Sequence, residues 1–171
     1  MSEPHLIFSH GLDGSQWGVK ITAMAEVARR YQVHVESLDY ANLDTATRVQ
    51  RLLEVCRELS GEFILVGSSL GAHVAATVST QVATRGLYLL APAFFMPGFE
   101  QYTPKPAACP VTIVHGWNDD VVPVENSIRF AQQYRCSLHI IDDDHRLQAQ
   151  VDQVCDLFER FLRRLGVAQR G

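Results

Sequence analysis

Phe63-Ile64-Leu65-Val66 is a run without a polar residue, and Gly67-Ser68-Ser69-Leu70-Gly71 follows it directly. A short apolar run bounded by glycine and serine reads as a strand, and one with no polar side is a strand buried on both faces. Such a strand needs helices above and below the sheet that contains it. The rest of the chain supplies them. Leu6-Ile7-Phe8, Tyr31 to Leu38 (around Val33 and Val35), Leu87-Tyr88-Leu89-Leu90, Val111 to His115 and Leu138-His139-Ile140-Ile141 are further strand-like runs. Between them, residues 17–30, 45–60, Leu70 to about Val82, 124–134 and 147–165 carry apolar side chains at helical spacing. Asp44 is placed to cap the second of these helices, with Gly61 and Gly166 as stops for the second and last. Strands alternating with helices predict the α/β class. The expected architecture is a three-layer α/β/α sandwich around a six-stranded, mainly parallel sheet, joined by right-handed crossovers.

At 171 residues this accounts for nearly the whole chain, so one domain, 1–171, is expected. Apolar residues at 47% and charged residues at 20% suit a packed core and not a disordered chain. The net charge of −4 is interspersed, with no basic block to neutralise phosphates, which argues against a nucleic-acid partner. No run reaches the roughly 20 apolar residues of a membrane span, and the N-terminal run lacks the charge and length of a signal peptide. A cytoplasmic protein with no membrane partner is therefore expected. The four cysteines (56, 109, 136, 155) show neither zinc-knuckle nor Cys-x-x-Cys spacing, so free thiols are expected, with Cys56 and Cys155 as small buried hydrophobes.

In parallel sheets of this kind ligands sit beyond the carboxyl ends of the strands. Those ends read Ser9-His10-Gly11-Leu12-Asp13-Gly14, Gly67-Ser68-Ser69-Leu70-Gly71, His115-Gly116-Trp117-Asn118-Asp119-Asp120 and Asp142-Asp143-Asp144-His145. Gly67-x-Ser69-x-Gly71 lies between a strand and a helix, the context in which G-x-S-x-G holds a nucleophile on a tight turn. Glycines two before and two after clear space for the turn, and the helix N-terminus favours developing negative charge. Ser68 lacks those symmetrical flanks. The bland alternative is a phosphate-cradling turn without chemistry. A serine hydroxyl needs a base. His145, in the loop after the last strand, is the expected one, with His115 and His10 as rivals. His5 falls in the terminus, His34 and His139 lie inside strands, and His73 is expected to pack against the sheet. Asp119 is the expected orienting carboxylate, ahead of Asp120 and Asp142 to Asp144. Two backbone N–H donors should face the developing oxyanion: Leu70, just after the nucleophile, and Leu12, with Asp13 and Gly14 as competitors. Four consecutive residues, 142–145, cannot readily converge on one ion, so neither a metal nor a cofactor is expected.

With these segments in place the chain resembles the α/β-hydrolase superfamily. Ser9-His10-Gly11-Leu12, Gly67-Ser68-Ser69-Leu70-Gly71, and His115-Gly116-x-x-Asp119-x-x-Val122-Pro123 followed by Asp144-His145 carry the likeness. Among subfamilies it is most similar to compact bacterial esterases and the retinoblastoma-binding-protein-9-like serine hydrolases. The resemblance implies the sheet order 2-1-3-4-5-6, the acid at Asp119 and an oxyanion donor at Leu12. It also implies a minimal fold that begins at the third strand of larger members and lacks their cap domain. Only segment 91–110, with five of the seven prolines, occupies the cap position.

The expected activity is hydrolysis of small carboxylic esters through an acyl-enzyme. His10, Gly11, Phe94, Phe95 and Trp117 are the expected substrate contacts. Amide, peptide or thioester cleavage uses the same groups, and a non-catalytic protein-binding module on the same scaffold is the rival from outside catalysis. Oligomeric state is not legible in the sequence.

Overall fold

The structure is a computed structural model and describes residues 2–171. Six strands, β1 (His5–Ser9), β2 (His34–Leu38), β3 (Phe63–Ser68), β4 (Thr84–Leu90), β5 (Val111–Gly116) and β6 (Ser137–Ile141), form one sheet. Its order is β2-β1-β3-β4-β5-β6, with every neighbouring pair parallel. Among the described residues five helices accompany them: α1 (Val19–Ala28), α2 (Thr45–Leu59), α3 (Leu70–Ser79) and α4 (Val124–Tyr134) between strands, and α5 (Val151–Arg164) after β6. The expected α/β/α sandwich and strand order are observed.

Strand alternation explains the two layers of core. Leu6, Phe8, Ile64, Val66, Tyr88 and Leu90 point to one face, where they pack with α1 and α5. Ile7, Phe63, Leu65, Leu87 and Leu89 point to the other, against α2, α3 and α4. β3 lies inside the sheet with all six residues buried, which is why its sequence shows no polar alternation. Asp44 caps α2 by accepting from Thr47 N at 2.8 Å. At the other end Ser60 and Gly61 both take positive φ, and the Ser60 N–H closes the helix on the Cys56 carbonyl.

Several element boundaries differ from the periodicity. His5 is not in a loose terminus but is the first residue of β1, its ring 5.2 Å from that of His34. β2 starts at His34, because Tyr31 leaves the sheet to form an isolated bridge with Gln169 and to donate its hydroxyl to Glu159. α5 starts at Val151, four residues after the periodic pattern begins. Leu147 is buried but has φ +53, outside the helix. The Asp143 carboxylate accepts from the N–H groups of Asp144 and Gln150, which organises residues 143–150 as a loop. Cys155 is half-buried, because it lies at the edge of the α5 face, whereas Cys56 is buried. No helix of the described residues is long and apolar enough to cross a membrane.

The tightest constraint is at the β3–α3 junction. A Cβ at Gly71 would overlap the backbone carbonyls of Ser9 and His10, and one at Gly67 would overlap the Gly71 carbonyl. The first turn of α3 is thus pressed directly onto the end of β1. Gly71→Ala is expected to cost about 3 kcal/mol or more, since backbone and not a flexible side chain must move. Urea unfolding of the wild type and the variant reads this, and a loss below about 1 kcal/mol would contradict the packing.

Candidate active site

Ser69 sits on the elbow with φ +55 and ψ −115, a backbone region that disfavours a residue with a Cβ. Its conformation is held from both sides. Ser69 N donates to the Leu90 carbonyl at 2.8 Å, and Ser69 O accepts from Ala93 N at 3.1 Å. The end of β4 therefore supports the strain in the turn after β3. Ser68 is the last residue of β3 and stays in the sheet, paired with Leu90.

The loops after β1, β5 and β6 converge on Ser69. His145, after β6, has Nε2 3.1 Å from Ser69 Oγ and Nδ1 2.7 Å from Asp119 Oδ2. Asp119, after β5, has a fully buried side chain. Its Oδ1 accepts from Val121 N and Val122 N at 2.9 and 2.7 Å. With Asp119 accepting at Nδ1, His145 carries its proton there and presents a lone pair to the serine hydroxyl. Asp120 is exposed at the cleft, and Asp142 accepts from Asn118 at 3.1 Å, away from His145.

Beyond Ser69 opens a cleft of about 610 Å³, bordered by His10, Gly11, Leu12, Leu70, Ala93 and Met96 among others. The N–H groups of Leu12 and Leu70 have no hydrogen-bond partner among the described residues. Gly14 N is occupied by Gly11 O at 3.3 Å, which removes it as a competitor. Three expected substrate contacts lie elsewhere. Phe94 is completely buried and stacked on Phe130 at 4.1 Å. Phe95 lies under the Arg129 guanidinium at 3.8 Å. Trp117 is 60% exposed and does not border the cleft. The turn at Ala93 and the positive φ of Phe95 send both phenylalanine rings towards α4 and leave Ala93 and Met96 facing the cleft.

Both rival histidines have other partners. His10 Nδ1 donates to Gly11 O at 2.7 Å and Nε2 accepts from Tyr40 N at 2.8 Å. His10 therefore braces the loop after β1 and has no nitrogen left for a proton transfer. His115 is buried behind Asp119: Nε2 lies 3.0 Å from Asp119 Oδ2 and 2.9 Å from Val122 O. Both are acceptors, so Nε2 carries the proton and Nδ1 accepts from the Ser127 hydroxyl at 2.6 Å. Burial lowers the pKa of His115, consistent with a neutral ring. His73 Nδ1 lies 3.4 Å from Ala93 O, and its ring sits beside that of Phe94. Among the described residues no group of three or more His, Cys, Asp or Glu side chains is placed to hold a metal ion.

The sheet order, the loops that carry these side chains and the sequence itself lead to one family. Residues 6–166 match the family model of the alpha/beta hydrolase family. The chain belongs to the alpha/beta hydrolase family. A proposed hydrolase of the alpha/beta superfamily from Xanthomonas campestris pv. campestris is 38% identical, with 95% of this chain and 99% of that chain covered and a TM-score of 0.86. Two more distant structures share the fold of this hydrolase. Est1E from Butyrivibrio proteoclasticus is 20% identical over 96% of this chain and 88% of its own, with a TM-score of 0.83. Alpha/beta hydrolase domain-containing protein 10 from mouse is 19% identical over 95% and 90%, with a TM-score of 0.74. No curated protein matches the chain.

Two buried side chains of this hydrolase carried no signal in the sequence. Ser127 looks like any helical serine until α4 sets it against His115. Arg48 is 1% exposed, yet its guanidinium meets no carboxylate among the described residues. It donates from Nη1 to His10 O and from Nε to Leu43 O, each at 3.0 Å. Arg48→Met is expected to leave both carbonyls unsatisfied and to cost roughly 2–4 kcal/mol, read by chemical unfolding. The buried neutral His115 predicts a pH effect on stability. The unfolded imidazole takes up a proton below about 6.5 and the folded one resists. The stability contribution is therefore present above that pH and is lost as pH falls towards the lowered folded value. His115→Gln should flatten the fall in unfolding free energy between pH 7.5 and 5, and an unchanged slope would contradict it.

Proposed function

We propose that this hydrolase cleaves small carboxylic esters through an acyl-enzyme formed on Ser69. The chain of short contacts Ser69 Oγ–His145 Nε2–Nδ1–Asp119 Oδ2, at 3.1 and 2.7 Å, supports this reading most directly. In it, Ser69 Oγ attacks the ester carbonyl while His145 takes the hydroxyl proton at Nε2. The buried Asp119 carboxylate stabilises the imidazolium and keeps the ring in the productive tautomer. The Leu12 and Leu70 N–H groups donate to the oxyanion as it develops, and the start of α3 adds its positive end. Collapse of the tetrahedral intermediate passes the proton from His145 to the departing alcohol. A water then attacks the acyl-enzyme with His145 as base, and the acid is released.

The preference for small esters rests on the cleft. Segment 91–110 contributes only the short turn Glu100–Tyr102 as regular structure, and only Ala93 and Met96 of it border the site. On this reading 1–171 acts as a single catalytic domain with an open site. A fluorophosphonate probe should label Ser69, and Ser69→Ala should abolish labelling. Asp119→Asn should lower kcat by about 10⁴-fold and His145→Ala by about 10⁶-fold, the scales known for the acid and the base of such a triad. A panel of 4-nitrophenyl esters of rising chain length should show kcat/KM highest at the short end. Well-folded protein that neither labels nor turns over any ester or aminoacyl amide would instead support a binding module.

A further inference from the structure

Five charged side chains border the cleft: Asp13, Lys20, Asp120, Asp144 and Arg146. Four of them are exposed, so water and salt screen them. Lys20, in the first turn of α1, is the exception: it is half-buried. No carboxylate oxygen among the described residues lies within ion-pair distance of its Nζ, and no hydrogen-bond acceptor engages it. Every other cation near this end of the sheet is either solvated, as Arg146 is, or anchored on carbonyl oxygens, as Arg48 is.

From this geometry we infer that Lys20 forms an anion subsite in the cleft, and that the ester this hydrolase takes carries a carboxylate. The proposal rests on the ester-hydrolase reading of Ser69 and adds a substrate class to it. A half-buried ammonium with no protein partner is less well solvated than a free one, and a ligand carboxylate delivered by the cleft would replace part of that solvation with a charge-assisted contact. The protein's own charges do not do this. Burial pulls the Lys20 pKa down to about 8, even though the Asp143 and Asp144 carboxylates favour the charged form. Asp143 is committed to the N–H groups of Asp144 and Gln150, and Asp144 Oδ1 to Arg146 N, and neither carboxylate forms an ion pair with Lys20. The exposed carboxylates of Asp13, Asp120 and Asp144 oppose an incoming anion through water. Attraction by a half-buried ammonium acts through a lower effective dielectric and is the stronger influence at contact. Leu12, Val19 and Val121, all exposed at the rim, supply apolar surface for the chain that joins the carboxylate to the ester.

The test compares matched ester pairs that differ by one carboxylate. Mono-4-nitrophenyl adipate and 4-nitrophenyl hexanoate place the difference on the acyl side, with equal chain length. 3-Carboxyphenyl butyrate and phenyl butyrate place it on the alcohol side. In at least one pair the ratio of kcat/KM, charged over uncharged, should fall about tenfold in Lys20→Met, the scale of one charge-assisted contact. Lys20→Arg should restore most of it, which also separates loss of charge from loss of folding. The pair that responds tells which side of the ester the subsite holds. Equal losses on both members, or an unchanged ratio in both pairs, would overturn the proposal. Failure of the underlying reading looks different: neither ester turns over and the fluorophosphonate does not label Ser69. In that event titrating Ser69→Ala, with and without Lys20→Met, with hexanoate and with the neutral hexanamide still decides the point. Tighter binding of hexanoate that Lys20→Met removes supports the anion subsite, and equal binding of the two refutes it.

Discussion

The contact between the first turn of α3 and the end of β1 sets the rest of the site. Gly71 lets helix backbone lie on strand backbone, with the carbonyls of Ser9 and His10 directly beneath. That approach makes the turn after β3 so tight that Ser69 must adopt positive φ. The same contact brings the loop after β1 alongside Ser69, so Leu12 and Leu70 border one cleft. The strain of the turn is local, but its support comes from β4 through Leu90 and Ala93. A strained residue persists where its surroundings over-determine it, and here two strands and a helix do so.

Behind the cleft lie two buried polar groups of similar logic. On one side Arg48, His10 and Tyr40 hold the loop after β1; on the other Ser127 and His115 hold Asp119. In each, a histidine has both ring nitrogens engaged, so its tautomer and orientation are set by its neighbours. Asp119 thereby receives N–H groups from His115, His145, Val121 and Val122. A carboxylate so surrounded is held stationary, as a group that orients an imidazole must be. Burial is affordable on both sides because nearly every polar atom has a partner. Lys20 departs from this pattern, a half-buried cation left without one.

Much of the fold was legible because β3 is buried on both faces and the helices are amphipathic, two patterns that period and composition reveal directly. The elbow was legible for a similar reason: glycine is required where backbones touch, and Gly67 and Gly71 mark the place. Boundaries were less so. The start of α5 is decided by the Asp143 side chain binding Gln150 N, a contact the apolar pattern of 147–165 does not register. Phe94 and Phe95 follow a strand end and so were expected at the substrate, yet the turn at Ala93 delivers both to α4. Sequence position at a strand end specifies proximity to the cleft, not the direction of a side chain.

By itself the sequence determined the α/β class, the alternation that makes the sheet parallel, and the glycines and serine of the elbow. These follow from local sterics and from which residues leave water. Tertiary structure decided which partner each polar group meets. It set His115 behind Asp119 and not beside Ser69, turned Trp117 out to solvent, gave Arg48 two carbonyls in place of a carboxylate, and left Lys20 unpaired at the cleft. Those outcomes depend on how the loops and helices pack against one another in three dimensions, a geometry that no local pattern encodes.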